Sequence, residues 1–295
     1  MWEPLPDLVR ALSHHACCAV RGGTLVALGG FVDLDEDPDE DPVDDQDDEP
    51  LTTASVEVQD TRAAGEAALS RELPQLSCGQ FCGGAALVVD ESESDACQVL
   101  LLGGCFADGP PSSQVWRVDL ARGVCTPQPS LGRARNVFAT ARLPGGRIVC
   151  VGGEDDDVGT DVSAEMWEPT QGTWRNLPDV SVGRYHATGC DLGDGRFAVL
   201  GGMNPVGGGT SLSCEALALD GTERWEPMPP MHQARYGFAA AAVGGCVIVA
   251  GGRGALGAPG LRSVEVYEEA AGVWRRLPTA CDLPHGLSSM GSALL

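Results

Sequence analysis

Short apolar runs, each closed by two glycines, recur along the chain: TLVALGG ending at Gly30, QVLLLGG at Gly104, RIVCVGG at Gly153, RFAVLGG at Gly202 and CVIVAGG at Gly252. Runs this short suit a buried strand and are too brief for a helix. Between Gly183 and Met231 the pattern resolves into four segments, RYHATGCDL, RFAVLGG, SCEALALD and RWEPMPPM, separated by LGDG, NPVGGG and LDGT. Strand-length segments between glycine- and aspartate-rich turns predict antiparallel neighbours. No segment of helical length carries a 3.6-residue period, so the predicted fold class is all-β.

The pattern repeats. Doublets begin at Gly29, Gly103, Gly152, Gly201 and Gly251, and the last three steps are 49, 49 and 50 residues. The first step is 74, with much of its excess in an acidic insertion at 33–50 and in DESESD (90–95). Trp2, Cys125, Trp174 and Trp225 lie 26 or 27 residues before the next doublet, and Ser-x-Glu recurs at Ser55/Glu57, Ser163/Glu165, Ser213/Glu215 and Ser263/Glu265. Unit one has Ser70 in place of the tryptophan, and unit two has no clear Ser-x-Glu. Paired glycines permit positive φ and close backbone approach, while a recurring tryptophan fills the wedge between twisted sheets. Trp174, Trp225 and Trp274 are therefore expected to be buried on outer strands.

The combination R-x-x-[HF], V-x-x-GG, S-x-E-x-[YW]-[ED] and W-x-x-[LM]-P, clearest in SAEMWEPTQGTWRNLPDV and SVEVYEEAAGVWRRLPTA, resembles the kelch-repeat family. The resemblance implies a β-propeller of four-stranded antiparallel blades. Five units are complete, at approximately 12–76, 78–130, 133–180, 183–231 and 234–279, with partial strands at 1–8 and 284–295. Those ends read as the outermost and innermost strands of a sixth blade, so the chain reads as part of a six-bladed propeller or as a five-bladed one with frayed ends.

Charge narrows the function. The net charge is −23, and twelve of the seventeen residues from Asp33 to Glu49 are acidic; the remainder carries −11. Such a surface repels nucleic acid. All nineteen basic residues are arginine, which excludes Schiff-base and P-loop lysine chemistry. No export signal or membrane-length apolar stretch is read, so a soluble cytoplasmic or nuclear protein is expected, with its twelve cysteines reduced.

Metal binding is the first suspicion at His14, His15, Cys17 and Cys18 and at Cys78 and Cys82. Both stretches are assigned to innermost strands, where successive side chains point apart, so buried unmetallated thiols are the favoured reading. The acidic run 154–157 lacks the pattern of a calcium loop, and Gly207–Gly209 precedes neither a helix nor a lysine. No cofactor or metal is expected. Some relatives are enzymes. The copper-oxidase likeness requires tyrosine ligands, and Tyr185, Tyr236 and Tyr267 each fall at repeat positions. Iron-binding specifier proteins resemble E-x-x-x-D-x-x-x-H, which this sequence lacks, and a sugar epimerase leaves no sharp motif to test.

The positive signal is Arg135, Arg184 and Arg235, each ten residues after the outer-strand position and at the entry to an innermost strand. Ringed at the channel mouth with Tyr185 and Tyr236, they would grip a protein client through an acidic segment, as the resemblance to kelch domains of ubiquitin-ligase adaptors implies. The alternative is that they bond carbonyls of adjacent blades. The expected function is a non-enzymatic protein-interaction module, the substrate-recognition part of a ubiquitin-ligase adaptor; a free-standing cytoskeletal or scaffold kelch protein or a sugar-acting enzyme are the other readings. The acidic insertion is expected to compete with an acidic client for the arginines.

Overall fold

In a computed structural model the chain forms five four-stranded antiparallel sheets arranged as propeller blades. The structure describes residues 8–9, 12–20, 24–32, 51–60, 70–90, 98–106, 109–155, 159–204 and 209–288. Each blade is a meander in chain order. Blade four runs Thr188–Asp191, Arg196–Leu200, Cys214–Ala218 and Arg224–Met228, with Phe197 opposite Leu217 and Leu217 opposite Trp225. The five innermost strands, Ala16–Val20, Ala85–Asp90, Ala139–Arg142, Thr188–Asp191 and Ala239–Val243, line an axial cavity of about 780 Å³.

Alternation sends one row of each middle strand into each blade interface. Phe81, Val99 and Leu101 join Val26, Leu28 and Val56 between blades one and two, while Phe238, Val247 and Val249 join Ala198 and Leu200 between blades four and five. Each Val, Leu or Phe so buried is worth about 1.5–3 kcal/mol. On the far side of blade five, Leu283 packs against Ala250 and Val264.

The doublets end the second strands, and both glycines of each have positive φ. The second glycine donates its N–H to a carbonyl of the next blade, as in Gly153 to Arg184 (2.9 Å) and Gly202 to Arg235 (2.9 Å). Trp274 is buried and Trp174 and Trp225 are half-buried, all on outermost strands. Their Nε1–H groups reach back to the Pro229, Pro129 and Pro178 carbonyls of the preceding blade.

A further set of main-chain bonds circles the axis. Gly83 N–H donates to His14 O, Val137 to Gly83, His186 to Val137 and Gly237 to His186, at 2.7–2.9 Å. All five residues have positive φ, including His14 (53°), Val137 (45°) and His186 (51°). The innermost strands of consecutive blades pack side by side from blade one to blade five; among the described residues, the first and fifth do not meet in that way. The terminal partial strands fall mostly outside the described residues.

Candidate functional site

In an up-and-down blade, the connections from second to third strand and from one blade to the next emerge on one face. Short ladders organise it: Phe81–Cys82 with Cys105–Phe106, Glu154–Asp155 with Gly159–Thr160, and Met203–Asn204 with Gly209–Thr210. In blade one, Leu12–Ser13, Phe31–Val32 and Leu51–Thr52 form a three-stranded version. The acidic insertion leaves from Val32 and returns at Leu51, and so is anchored on this face; the insertion itself lies outside the described residues.

The three arginines border this face but do not project from it. Arg135, Arg184 and Arg235 are at most 1% exposed. Arg135 donates to the Gly152 carbonyl (2.7 Å), Ser163 Oγ (3.0 Å) and Glu165 Oε1 (2.8 Å). Arg235 repeats the set with Gly251, Ser263 and Glu265, and Arg184 donates to the Gly201 and Ser213 carbonyls and to Glu215. Each fork thus clamps the first doublet glycine to the Ser-x-Glu strand of its own blade. A client carboxylate has no access to these guanidinium groups, and neither has the acidic insertion, so the expected arginine mouth is corrected to a set of internal clamps. Burial alone would raise the Glu265 pKa; the His232 N–H and the Arg235 fork outweigh it and hold the carboxyl below its ordinary value.

Blade two replaces both members of the clamp. Phe81 stands where blades three to five have arginine, since the Gly30 N–H bonds its carbonyl, and Trp116 stands where they have glutamate. Phe81, Phe106 and Trp116 pack in series at 5.2 and 6.5 Å between centroids. An ion pair is exchanged for an aromatic cluster of the same location.

The tyrosines diverge. Tyr236 is buried, its backbone bridged to Arg253, whereas Tyr185 is half-buried with its hydroxyl 3.0 Å from Met203 Sδ. Between them His186 lies 5.3 Å from Tyr185, 5.8 Å from Tyr236 and 5.6 Å from His14 across the channel mouth. Burial, with a smaller contribution from His14, lowers the His186 pKa to about 4. The neutral ring is the folded form, so its stability contribution is complete above the ordinary value near 6.5 and is lost as pH falls towards 4. Between pH 7 and pH 5 the wild type should lose about 2 kcal/mol that His186→Asn does not lose. Urea unfolding at both pH values checks this; parallel losses would place the acid sensitivity elsewhere.

The suspected metal stretches are not brought together as ligands. No group of three metal-capable side chains clusters among the described residues. Cys78 and Cys82 precede the innermost strand instead of lying on it: Cys78 is in a turn, and Cys82 pairs with Cys105. Glu154 joins a surface ladder, and Asp156 and Asp157 fall outside the described residues, as do Gly207 and Gly208.

What the residue patterns missed is apolar. Of the nine large apolar residues exposed among the described residues, six lie on the connection-bearing face: Val9, Val162, Val182, Leu212, Leu256 and Leu287. Val162 adjoins Gly183 beside Val182, and Leu212 holds the place of Val162 one blade on, each directly before the serine of Ser-x-Glu. That adjacency to a marker was the available signal. Arg133, half-exposed and paired with Asp161 at 3.3 Å, adds a cation to the same strip.

A family model for the kelch motif matches residues 234–280. The chain is 29% identical over 136 residues to the Kelch repeat protein M-T9 of Myxoma virus (strain Lausanne), covering 46% of this chain and 26% of that protein. It is 26% identical over 133 residues to an F-box/kelch-repeat protein of Arabidopsis thaliana, covering 44% of this chain and 32% of that one. The matches thus span a quarter to a third of these relatives' lengths. Among solved structures, YjhT superposes with a TM-score of 0.73 at 13% identity, covering 98% of this chain and 89% of that chain.

Proposed function

Since the chain is a kelch-repeat β-propeller, we propose that it is a protein-interaction module that holds its client on the connection-bearing face, and that its task is binding, not catalysis. The observation that carries this is the set of exposed apolar side chains on that face, with Val162, Val182 and Leu212 on consecutive blades and the half-buried Tyr185 at the channel mouth. Apolar groups held at a rigid rim supply the desolvated centre of an interface, and Arg133 supplies a polar edge. With the arginine forks committed internally, the client is recognised chiefly by apolar segments and not by carboxylates.

The finer reading is substrate recognition within a ubiquitin-ligase adaptor. Its support is the likeness to a relative described as an F-box/kelch-repeat protein.

Affinity capture tests both levels. Val182→Asp with Leu212→Asp should lose a defined set of captured proteins at unchanged thermal stability, while Val243→Asp on the opposite face keeps it. Retention of that set by the double variant would refute the docking face. Ubiquitin-ligase subunits should be recovered with the wild-type protein and with both variants; their absence would leave a binding module without the adaptor role.

A further inference from the structure

Blade two departs from the repeat at its outer strand, Val124–Gln128. Cys125 takes the place held by Trp174, Trp225 and Trp274 in the next three blades. The segment entering blade two is also one residue longer: Leu76 and Phe81 are five positions apart, where Leu131 and Arg135, Val180 and Arg184, and Met231 and Arg235 are four apart. The extra residue is absorbed in a turn, closed by the Gly79 N–H on the Leu76 carbonyl (3.1 Å), which lays Ser77 and Cys78 along the outer strand. Ser77 N–H donates to the Gly123 carbonyl (2.9 Å) and Cys125 N–H donates to Ser77 Oγ (2.8 Å), which sets Cys78 beside Cys125, whose sulfur approaches the Gly123 carbonyl (3.8 Å). Both cysteines are partly exposed.

We infer that Cys78 and Cys125 are an oxidisable dithiol, converted by hydrogen peroxide into a disulfide that ties the exit of blade one to the outer strand of blade two. The Cys125 thiolate attacks one peroxide oxygen, the O–O bond breaks, and the departing hydroxide takes a proton to become water. Cys125 is then a sulfenic acid. The Cys78 sulfur attacks it, the S–O bond breaks, and the hydroxyl leaves with the Cys78 proton as a second water. Two thiols have lost two electrons, and the peroxide has gained them.

The assignment of roles follows from the contacts. Hydrogen bonds from Cys78 first, and then from Ser77, lower the Cys125 pKa to about 6, while the same bond raises that of Cys78 and keeps it protonated. Burial pushes Cys17 up to about 11 and Cys150, Cys190 and Cys214 up to about 12. The attacking sulfur is therefore Cys125 and the resolving one Cys78. The bridge would also supply the inter-blade tie that blade two forgoes with the tryptophan. In a reducing compartment such a bond is transient and regulatory.

The test uses the full chain with hydrogen peroxide, followed by alkylation, proteolysis and mass spectrometry. A Cys78–Cys125 linked peptide is expected, reversible by dithiothreitol and absent in Cys125→Ser. In Cys78→Ser, dimedone should label Cys125 as the sulfenic acid. Before oxidation at pH 7, iodoacetamide should modify Cys125 about tenfold faster than Cys281. Unchanged Cys125 under peroxide, dimedone label chiefly at other cysteines, or alkylation of Cys125 no faster than Cys281 would each overturn the inference.

Discussion

Glu165→Leu should destabilise the protein by about 3 kcal/mol, because it removes the hydrogen-bonded carboxylate of a buried guanidinium and leaves Asp161, 3.6 Å away, as its remaining counter-charge. Glu165 is 2% exposed and accepts from Arg135 Nη2 at 2.8 Å and from the Gly132 N–H at 2.7 Å. Leucine fits the space and answers neither donor. Blade two shows how the site tolerates change when both partners go together, as Phe81 and Trp116. Arg135→Phe with Glu165→Trp should therefore recover more than half of the single variant's loss, a strong non-additivity. Denaturant unfolding of wild type, Arg135→Phe, Glu165→Trp and the double gives the coupling. A Glu165→Leu cost below about 1 kcal/mol would mean that the clamp is as weak as a surface pair.

Gly201→Ala should cost about 2–5 kcal/mol, as the sum of two separable effects. Its φ of +55° is unfavourable for any residue with a Cβ, by about 1–2 kcal/mol. A Cβ built there would also stand 2.6 Å from the Arg235 carbonyl oxygen, backbone of the next blade that cannot turn aside. Forced overpacking adds about 1–3 kcal/mol. Gly193 is the control: its φ is +82°, but nothing lies within 4 Å of the added methyl. Gly193→Ala should show the conformational part alone. Equal losses in the two variants would show that the doublet is chosen for its torsion angles and not for blade contact.

The propeller was legible because each marker recurs with the blade. Glycine doublets end second strands because every interface needs the same close approach, and in blades three to five a tryptophan fills the outermost strand. The arginines were harder, since two markers read as independent are partners: Arg135 and Glu165, Arg184 and Glu215, and Arg235 and Glu265 lie 30, 31 and 30 residues apart and join in space. The clue was present in unit two, which loses the arginine and the glutamate together. Exposure of Val162, Val182 and Leu212 was not legible, because a residue beside a buried marker can face either way until the connections are placed. Tyr185 and Tyr236 share a repeat position, yet only Tyr236 is buried, a difference set by their neighbours and not by their register.

The two-residue ladders on the connection-bearing face separate the length of a connection from the blade that carries it. Residues Phe31–Val32 and Leu51–Thr52 close the first blade's connection with the same kind of pairing that Met203–Asn204 and Gly209–Thr210 give the fourth, although 18 residues intervene in one case and four in the other. Once such a gate is shut, doubling what lies beyond it adds only about 0.6 kcal/mol of closure entropy. The propeller is in this respect a socket with interchangeable inserts: foreign sequence can be spliced between Val32 and Leu51 without renegotiating the register of any blade.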